Sequence, residues 1–139
     1  MMPNHWLLKT EPSTYSYTDL EREGKAVWDG VTNALALKHL RAIKKGDLAF
    51  IYHTGDEKQI VGIAEVVSGA YPDPKQTESK FVVLDLKPRQ RLKRAVTLAE
   101  IKARKEFADF ELVRIGRLSV MPVSDERWQG INRLAQNAG

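Results

Sequence analysis

Two long apolar runs separated by a short turn constrain the fold more than any other feature of this sequence. DLAFIYH (47–53) is apolar and aromatic, and QIVGIAEVVSG (59–69) is rich in β-branched residues. The TGDEK segment between them contains the Gly and Asp of a tight loop. Two strands joined by so short a loop pair as an antiparallel hairpin. The hairpin argues against a parallel, doubly wound sheet.

Further segments have the composition of strands. HWLLK (5–9) and LSVMPV (118–123) lie near the two ends of the chain. KFVVLDLK (80–87) follows the rigid loop YPDP (71–74). Apolar and β-branched runs bounded by Pro, Gly or Asp predict strands, so the hairpin is expected to belong to a larger sheet.

Helix-capping patterns mark where the first predicted helices begin. Thr18 and Glu21 have capping-box spacing, which predicts a short helix that ends at Gly24. Asn33 is the expected N-cap of a second helix that ends at Gly46. Both helices lie between predicted strands.

Capping patterns also predict helices in the second half of the chain. Thr97 and Glu100 form another capping box, for a helix through about Lys105. Ser124 is the expected cap of a closing helix (124–136), whose first-turn acids suit the helix dipole. We expect the terminal QNAG segment (136–139) to be disordered.

The order of these elements predicts the fold class. Strands follow one another through hairpins, and helices lie at the margins, which favours an α+β fold. We expect a small, mostly antiparallel, barrel-like sheet with peripheral helices. A length of 139 residues fits a single domain spanning 1–139.

Composition and missing motifs exclude several classes of protein. No apolar run approaches the ~20 residues of a membrane span, and the N-terminus does not resemble a secretion signal, so we expect a cytoplasmic protein. The sequence has no Cys, and its three His lack metal-ligand spacing, so no metal site is expected. Glycine-rich nucleotide loops are absent too, and no cofactor is predicted.

One short pattern raises the possibility of an enzyme. Asp73, Asp85 and Lys87 match the loose P-D…D-x-K pattern of metal-dependent nucleases. On a strand, Asp85 and Lys87 would share a face, where a carboxylate could hold Mg²⁺ beside a lysine. The pattern is short and degenerate and occurs by chance in many basic proteins, and Asp73 lies between two prolines in an apparent loop, so a turn acid and an edge-strand charge pair also explain it. The nuclease therefore stays an alternative.

Positive charge is concentrated in one segment. The net charge is +4, and residues 87–105 hold eight Lys or Arg against the single acid Glu100. Clustered positive charge is typical of a partner with phosphates, although it is also found on ordinary solvated surfaces. The candidate contacts to a nucleic-acid backbone are Arg89, Arg91, Lys93, Arg94, Lys102, Arg104 and Lys105.

Aromatic side chains cluster in the first half of the chain. They are Trp6, Tyr15, Tyr17, Trp28, Tyr52 and Tyr71. An aromatic face with a few fixed polar groups is what a pocket for a planar base requires, and stacking contributes about 1–3 kcal/mol per base. Any single Trp or Tyr is more often part of a core. Trp28, in the WDGVTN segment (28–33), is therefore open to both interpretations.

Several segments together resemble a known family. A K-[ST]-E-P motif near the N-terminus, followed about sixteen residues later by W-D-G-V, is specific, and the resemblance covers nearly the whole chain. The segments are HWLLKTEPSTYS, VWDGVTN, GDLAFIYHTG, VGIAEVVSGAYPDP and RLSVMPV, in that order. The sequence resembles the EVE domain, a relative of the PUA-like fold that occurs alone in small bacterial proteins.

The resemblance implies a function and a set of pocket residues. Members of the family look like readers of modified nucleobases, such as methylated cytosine derivatives, held flipped out in an aromatic-lined pocket. The implied pocket residues are Lys9, Thr10, Glu11, Pro12, Ser13, Trp28, Gly30, Val31, Asn33, Tyr52, His53, Arg117 and Ser119. Trp28 would wall the base, Ser13 and Asn33 would read its edge, and Gly30 would allow close backbone approach.

The function expected from the sequence is binding without catalysis. The pocket-forming segments contain no set of acid, base and nucleophile. We therefore expect a module that binds DNA or RNA and holds one modified base. The alternatives are the metal-dependent nuclease of Asp73, Asp85 and Lys87, and a small-molecule or protein-interaction module on the same fold.

Overall fold

The structure is a computed structural model that describes residues 4–136. Six strands and five helices lie along these residues. The strands are β1 (His5–Thr10), β2 (Ala26–Trp28), β3 (Leu48–His53), β4 (Gln59–Pro72), β5 (Val82–Thr97) and β6 (Val120–Val123). Strands β3, β4 and β5 follow one another without a helix between them. The helices are α1 (Tyr17–Glu23), α2 (Ala34–Ala42), α3 (Leu98–Lys102), α4 (Glu111–Arg114) and α5 (Asp125–Gln136), with a 3-10 turn at Lys105–Phe107.

The strands form one mixed sheet in the order β2-β5-β4-β3-β1-β6. Every neighbouring pair is antiparallel except β1 with β3, which run parallel. The predicted hairpin is the β3–β4 pair. The α+β class and the mostly antiparallel, barrel-like sheet with peripheral helices are thus confirmed.

Irregular pairing bends the sheet. The long β4–β5 ladder changes register at several points, and the β3–β4 ladder changes register between Ile51 and Tyr52. Bulges of this kind increase local twist and bend the strand that carries them. The sheet is open, with β2 at one end and β6 beside β1 at the other.

A ring closely packed on a glycine fixes α1 against the sheet. The Tyr17 ring lies so close to Gly62 of β4 that a Cβ there would come within 2.5 Å of it. The Tyr17 hydroxyl donates to the Ile63 carbonyl at 2.7 Å, so the buried polar group is satisfied. On the other side of the core, Trp128 stacks on Phe50 at 3.9 Å between ring centroids.

Several predicted boundaries are confirmed. Asn33 accepts a hydrogen bond from the Ala36 amide and caps α2, and Thr97 forms a capping box with Glu100. Ser124 accepts from the Arg127 amide at the start of α5. Residues 137–139 of the predicted disordered tail lie outside the described residues.

Other predicted boundaries are wrong. The cap of α1 is Ser16, whose capping-box partner is Asp19, rather than Thr18 with Glu21, although the helix does end at Gly24. The second helix ends at Ala42 instead of reaching Gly46, because a turn follows it.

The strand predicted at 80–87 continues to Thr97. Most of the positively charged stretch 87–105, which we call the basic segment, is therefore β structure. The short strand β2 and helix α4 were not predicted. Within residues 4–136, no helix is both long and apolar enough to span a bilayer.

Candidate functional site

A cavity of about 570 Å³ opens where the two ends of the sheet approach each other. We call it the main cavity. Strand β1 and the segment before β6 form one side, and β2 with the loop to α2 forms the other. Its lining residues are Lys9, Thr10, Thr14, Tyr15, Val27, Trp28, Asp29, Gly30, Val31, Thr32, Asn33, Arg117 and Ser119.

The wall on the β2 side is formed by WDGVTN. Trp28 is the last residue of β2 and pairs with Leu84 of β5. Gly30 has a φ of +79°, a conformation that glycine adopts without a steric penalty, and it turns the chain toward α2. Trp28 is only 7% exposed and also lines the cavity, so it belongs to the core and to the cavity wall.

Tyr15 connects the two sides of the main cavity. Its ring meets Trp28 edge to face, with 6.2 Å between centroids and 83° between planes. Its carbonyl accepts a hydrogen bond from the Thr10 hydroxyl at 2.6 Å, which ties it to the end of β1. Its own hydroxyl donates to Glu23 at 2.7 Å, and burial together with this carboxylate raises the Tyr15 pKa. The phenol therefore stays neutral at physiological pH.

Two cationic side chains line the opposite side. The Lys9 ammonium donates to the Gly116 carbonyl at 2.8 Å and lies 5.5 Å from the centre of the Tyr52 ring. Burial lowers the Lys9 pKa, because the charged form loses hydration. Arg117 is exposed at the cavity.

Asn33 presents an unused donor. Its side-chain oxygen accepts from the Ala36 amide at 3.0 Å. Within residues 4–136 its amide nitrogen has no hydrogen-bond partner, and the side chain is exposed at the cavity. One amide group can thus cap α2 and still donate to a ligand.

The structure brings together most of the residues that the resemblance implied. Those that line the main cavity are Lys9, Thr10, Trp28, Gly30, Val31, Asn33, Arg117 and Ser119.

The remaining implied residues lie outside the main cavity, and Tyr52 lies beside it under the Lys9 ammonium. Glu11 accepts from both the backbone amide and the hydroxyl of Ser13, so these two residues bond to each other. Pro12 and His53 line a separate cavity beside β5, where the His53 ring accepts from the Tyr17 amide and contacts Glu57.

Five lining residues were not among those implied. They are Thr14, Tyr15, Val27, Asp29 and Thr32, and all of them except Tyr15 are adjacent in the sequence to an implied residue. Tyr15 belongs to the aromatic cluster noted in the sequence, which was the one signal that pointed to it. The other four are ordinary polar or aliphatic residues with no sequence motif. Their place in the cavity lining depends on the fold and could not be predicted from the sequence.

Acidic partners hold much of the basic segment in place. Arg89 contacts Glu65 at 2.8 Å, and Arg91 contacts Glu21 at 2.6 Å and lies 5.1 Å from the Tyr17 ring centre.

Further along the segment, Arg94 forms a two-pronged pair with Glu100 and also donates to the Leu134 carbonyl. Arg104 lies 3.8 Å from Glu106. Lys93, Lys102 and Lys105 are exposed. The segment thus carries less unpaired charge than its composition indicates.

We expect the Arg94–Glu100 pair to make stability depend on pH. The Arg94 guanidinium, with the Thr97 amide, lowers the Glu100 pKa to about 2. Because the Glu100 pKa is lower in the folded protein than its ordinary value of 4.5, the ionised carboxylate stabilises the fold at pH values above 4.5. This stabilisation is lost as the pH falls from 4.5 toward 2. The Glu100 side chain is a third exposed, so solvent screens the ion pair and its contribution to the free energy of unfolding is about 1 kcal/mol.

Chemical denaturation of the wild type and of Glu100→Gln at pH 6 and pH 2.5 measures this contribution. The wild type is expected to be the more stable at pH 6, and the difference should shrink at pH 2.5. A difference that is the same at both pH values would contradict the assignment to this carboxyl group.

The residues of the nuclease pattern have other partners. Asp85 accepts from the Tyr71 hydroxyl at 2.7 Å, Lys87 lies 3.8 Å from Glu65, and Asp73 accepts from the Lys75 amide in a turn. Among residues 4–136, no group of three or more His, Cys, Asp and Glu is arranged to hold a metal ion.

Comparison with known proteins places the chain among relatives over nearly its full length. Human thymocyte nuclear protein 1 is 30% identical over 169 residues, covering 97% of this chain and 75% of that protein. The NMR structure of Rpa0253 from Rhodopseudomonas palustris superposes with a TM-score of 0.91 at 41% identity, covering 98% and 95% of the two chains.

A second structure was solved with DNA. The crystal structure of human THYN1 protein in complex with DNA containing 5-methylcytosine has a TM-score of 0.89 and 29% identity, covering 98% of this chain and 99% of that one. A family model for the EVE domain matches residues 4–134. The chain therefore belongs to the EVE domain family.

Proposed function

We propose that this protein binds nucleic acid without catalysis and holds a single modified base, such as a methylated cytosine, in the main cavity. The observation that carries the proposal is the arrangement of Trp28 and Tyr15 beside polar groups at the meeting point of the two sheet ends. The volume of about 570 Å³ falls within the roughly 300–1,000 Å³ of small-molecule sites.

The chemistry of the cavity suits a flipped base. Trp28 and Tyr15 bring two aromatic rings to the cavity lining, and base–aromatic stacking contributes about 1–3 kcal/mol. The free amide hydrogens of Asn33 can donate to a carbonyl or ring nitrogen on the base edge. Extruding a base from a duplex costs a few kcal/mol in lost pairing and stacking, and stacking on aromatic side chains offsets part of this cost.

The relative solved with DNA supports the same conclusion. Human THYN1 protein binds DNA that contains 5-methylcytosine, and its fold matches that of this chain over nearly the full length of both. The cations Lys9 and Arg117 beside the cavity are complementary to a phosphate backbone.

The proposal is tested by titrating the wild type with oligonucleotides that differ at one position, cytosine or 5-methylcytosine. DNA and RNA, single- and double-stranded, are compared by fluorescence anisotropy. We expect tighter binding to the methylated version of one of these forms. Equal affinity for every pair would overturn the assignment of a modified base.

Asn33→Ser tests the reading of the base edge. Serine keeps the helix cap, because its hydroxyl also accepts from the backbone, but it removes the free amide hydrogens. We expect an unchanged melting temperature and an affinity for both the methylated and the unmethylated oligonucleotide that is reduced about tenfold, the cost of one lost hydrogen bond. An unchanged affinity would remove Asn33 from the recognition surface.

A further inference from the structure

A second, smaller cavity adjoins the main cavity and shares Lys9 with it. We call it the lysine cavity; its volume is about 210 Å³. The turn between β3 and β4, helix α3 and the end of α4 surround it. Its lining residues are Lys9, Tyr52, Thr54, Gly55, Lys58, Leu98, Lys102, Leu112, Val113 and Gly116.

The charge in this cavity is of one sign. Lys9, Lys58 and Lys102 line it, and no lining residue is acidic. Glu11, whose carboxylate lies against Gly55, is held by Ser13 and by the Thr54 hydroxyl. Three like charges that line one cavity repel one another, and a bound anion relieves this repulsion.

Lys58 and Lys102 are available for a ligand. Both are exposed, and the lysines that form ion pairs within residues 4–136 are Lys25, Lys80 and Lys87 instead. In the basic segment, by contrast, the arginines are paired with carboxylates. Lys58 and Lys102 therefore add unpaired positive charge next to the main cavity, which Lys9 and Arg117 already line.

The backbone holds the two lysines in a fixed relation. Lys58 has a φ of +47°, a left-handed conformation that costs about 1 kcal/mol for a residue with a Cβ. Its carbonyl accepts from the Leu98 amide at 2.8 Å, which joins the β3–β4 turn to the first residue of α3. Helix α3 carries Lys102 at its other end. The turn and the helix thus present both side chains to one cavity.

We infer that the lysine cavity binds the phosphodiester group next to the base held in the main cavity. The inference rests on the proposed function, because Lys9 lies between the two cavities and so couples base to phosphate. The Lys9 ammonium gives one hydrogen to the Gly116 carbonyl and keeps two for an anion. Thr54 and the exposed Gly55 add small groups that leave room for it.

The double variant Lys58→Gln/Lys102→Gln tests this inference against the charge-matched control Lys45→Gln/Lys75→Gln. The control lysines are exposed and line neither cavity. We expect the test variant to bind the methylated oligonucleotide about tenfold more weakly. The negative slope of the logarithm of the binding constant against the logarithm of the salt concentration should become shallower by about 1, the value for one lost phosphate contact. The control should change neither quantity to that extent.

The preference for the methylated base separates the two proposals. The test variant is expected to keep the wild-type ratio between methylated and unmethylated oligonucleotides while losing affinity for both. A wild-type ratio of one would sink the proposed function. If the wild type prefers the methylated oligonucleotide but the test and control variants lose affinity equally, only the inference about the lysine cavity is contradicted.

A neutral backbone linkage identifies the anion. Replacing the phosphodiester on either side of the target base with a methylphosphonate should weaken wild-type binding at one of the two positions, and that position should have little effect in the test variant. Competition with inorganic phosphate at constant ionic strength is the second arm. Displacement by inorganic phosphate with no effect of either methylphosphonate would overturn the inference in favour of a free-phosphate site.

Discussion

Trp28→Ala is expected to lower affinity for the oligonucleotide with the modified base about 10- to 100-fold, because the stacking surface contributes about 1–3 kcal/mol. Weak, salt-sensitive binding to any oligonucleotide should persist, since the cations Lys9, Lys58 and Lys102 are unchanged. Anisotropy titrations at two salt concentrations separate the two contributions. Loss of base preference with retained salt-sensitive binding is the predicted combination.

The burial of Trp28 requires a check on folding. The side chain is 7% exposed and pairs through β2 with the core, so truncation to Ala costs about 3–5 kcal/mol of stability. Trp28→Leu keeps an apolar side chain without an aromatic face, and Trp28→Phe keeps the face. We expect base preference to be lost in the Leu variant and partly kept in the Phe variant. A folded Leu variant with wild-type preference would show that Trp28 acts only in the core.

A loss of stability of about 3 kcal/mol or more is also expected from Asp47→Ala, because the buried Trp6 indole and two part-buried amides would lose their acceptor. Asp47 is 5% exposed and begins the β3 side of the hairpin. Its carboxylate accepts from the Trp6 indole at 2.9 Å, from the Lys44 amide at 2.9 Å and from the Asn4 amide at 3.1 Å. One side chain thus joins β1 to the turn that follows α2.

Denaturant unfolding of three variants measures this effect. Asp47→Ala is expected to unfold at much lower denaturant than wild type, and Asp47→Asn to lie between them because one oxygen acceptor remains. The control is Asp56→Ala in the exposed β3–β4 turn, which should stay within about 0.5 kcal/mol of wild type. Similar unfolding of Asp47→Ala and Asp56→Ala would contradict the role given to the buried carboxylate.

Local patterns predicted much of the fold. The β3–β4 hairpin and the caps at Asn33, Thr97 and Ser124 depend on residues near one another in the chain, so their signals can be read from short segments. The second half of β5 shows where such reading fails. In residues 88–97 a proline comes first and four of the ten residues are Arg or Lys, yet the stretch pairs with β4 as a strand. Apolar periodicity gives no signal for a strand with so few apolar side chains.

The candidate site was predicted in part for the same reason. Trp28, Gly30 and Asn33 lie together in one segment, and the family resemblance of that segment implied all three as pocket residues. Tyr15 and Val27 became part of the cavity only through packing. Lys58 stood in a turn that looked like an ordinary polar loop, and its closeness to Lys9 and Lys102 depends on three separate parts of the chain.

By itself, the sequence determined the class of fold, the hairpin at its centre and the family to which the chain belongs, because these follow from short-range patterns and motif order. The tertiary structure alone decided which side chains line the main cavity, which arginines are neutralised by carboxylates and which lysines stay unpaired. Those outcomes depend on bringing the two ends of a bent sheet together, so that Lys9 and Trp28 share one cavity. Contacts between residues far apart in the chain are set by sheet order, register and bulges, and no local periodicity encodes them.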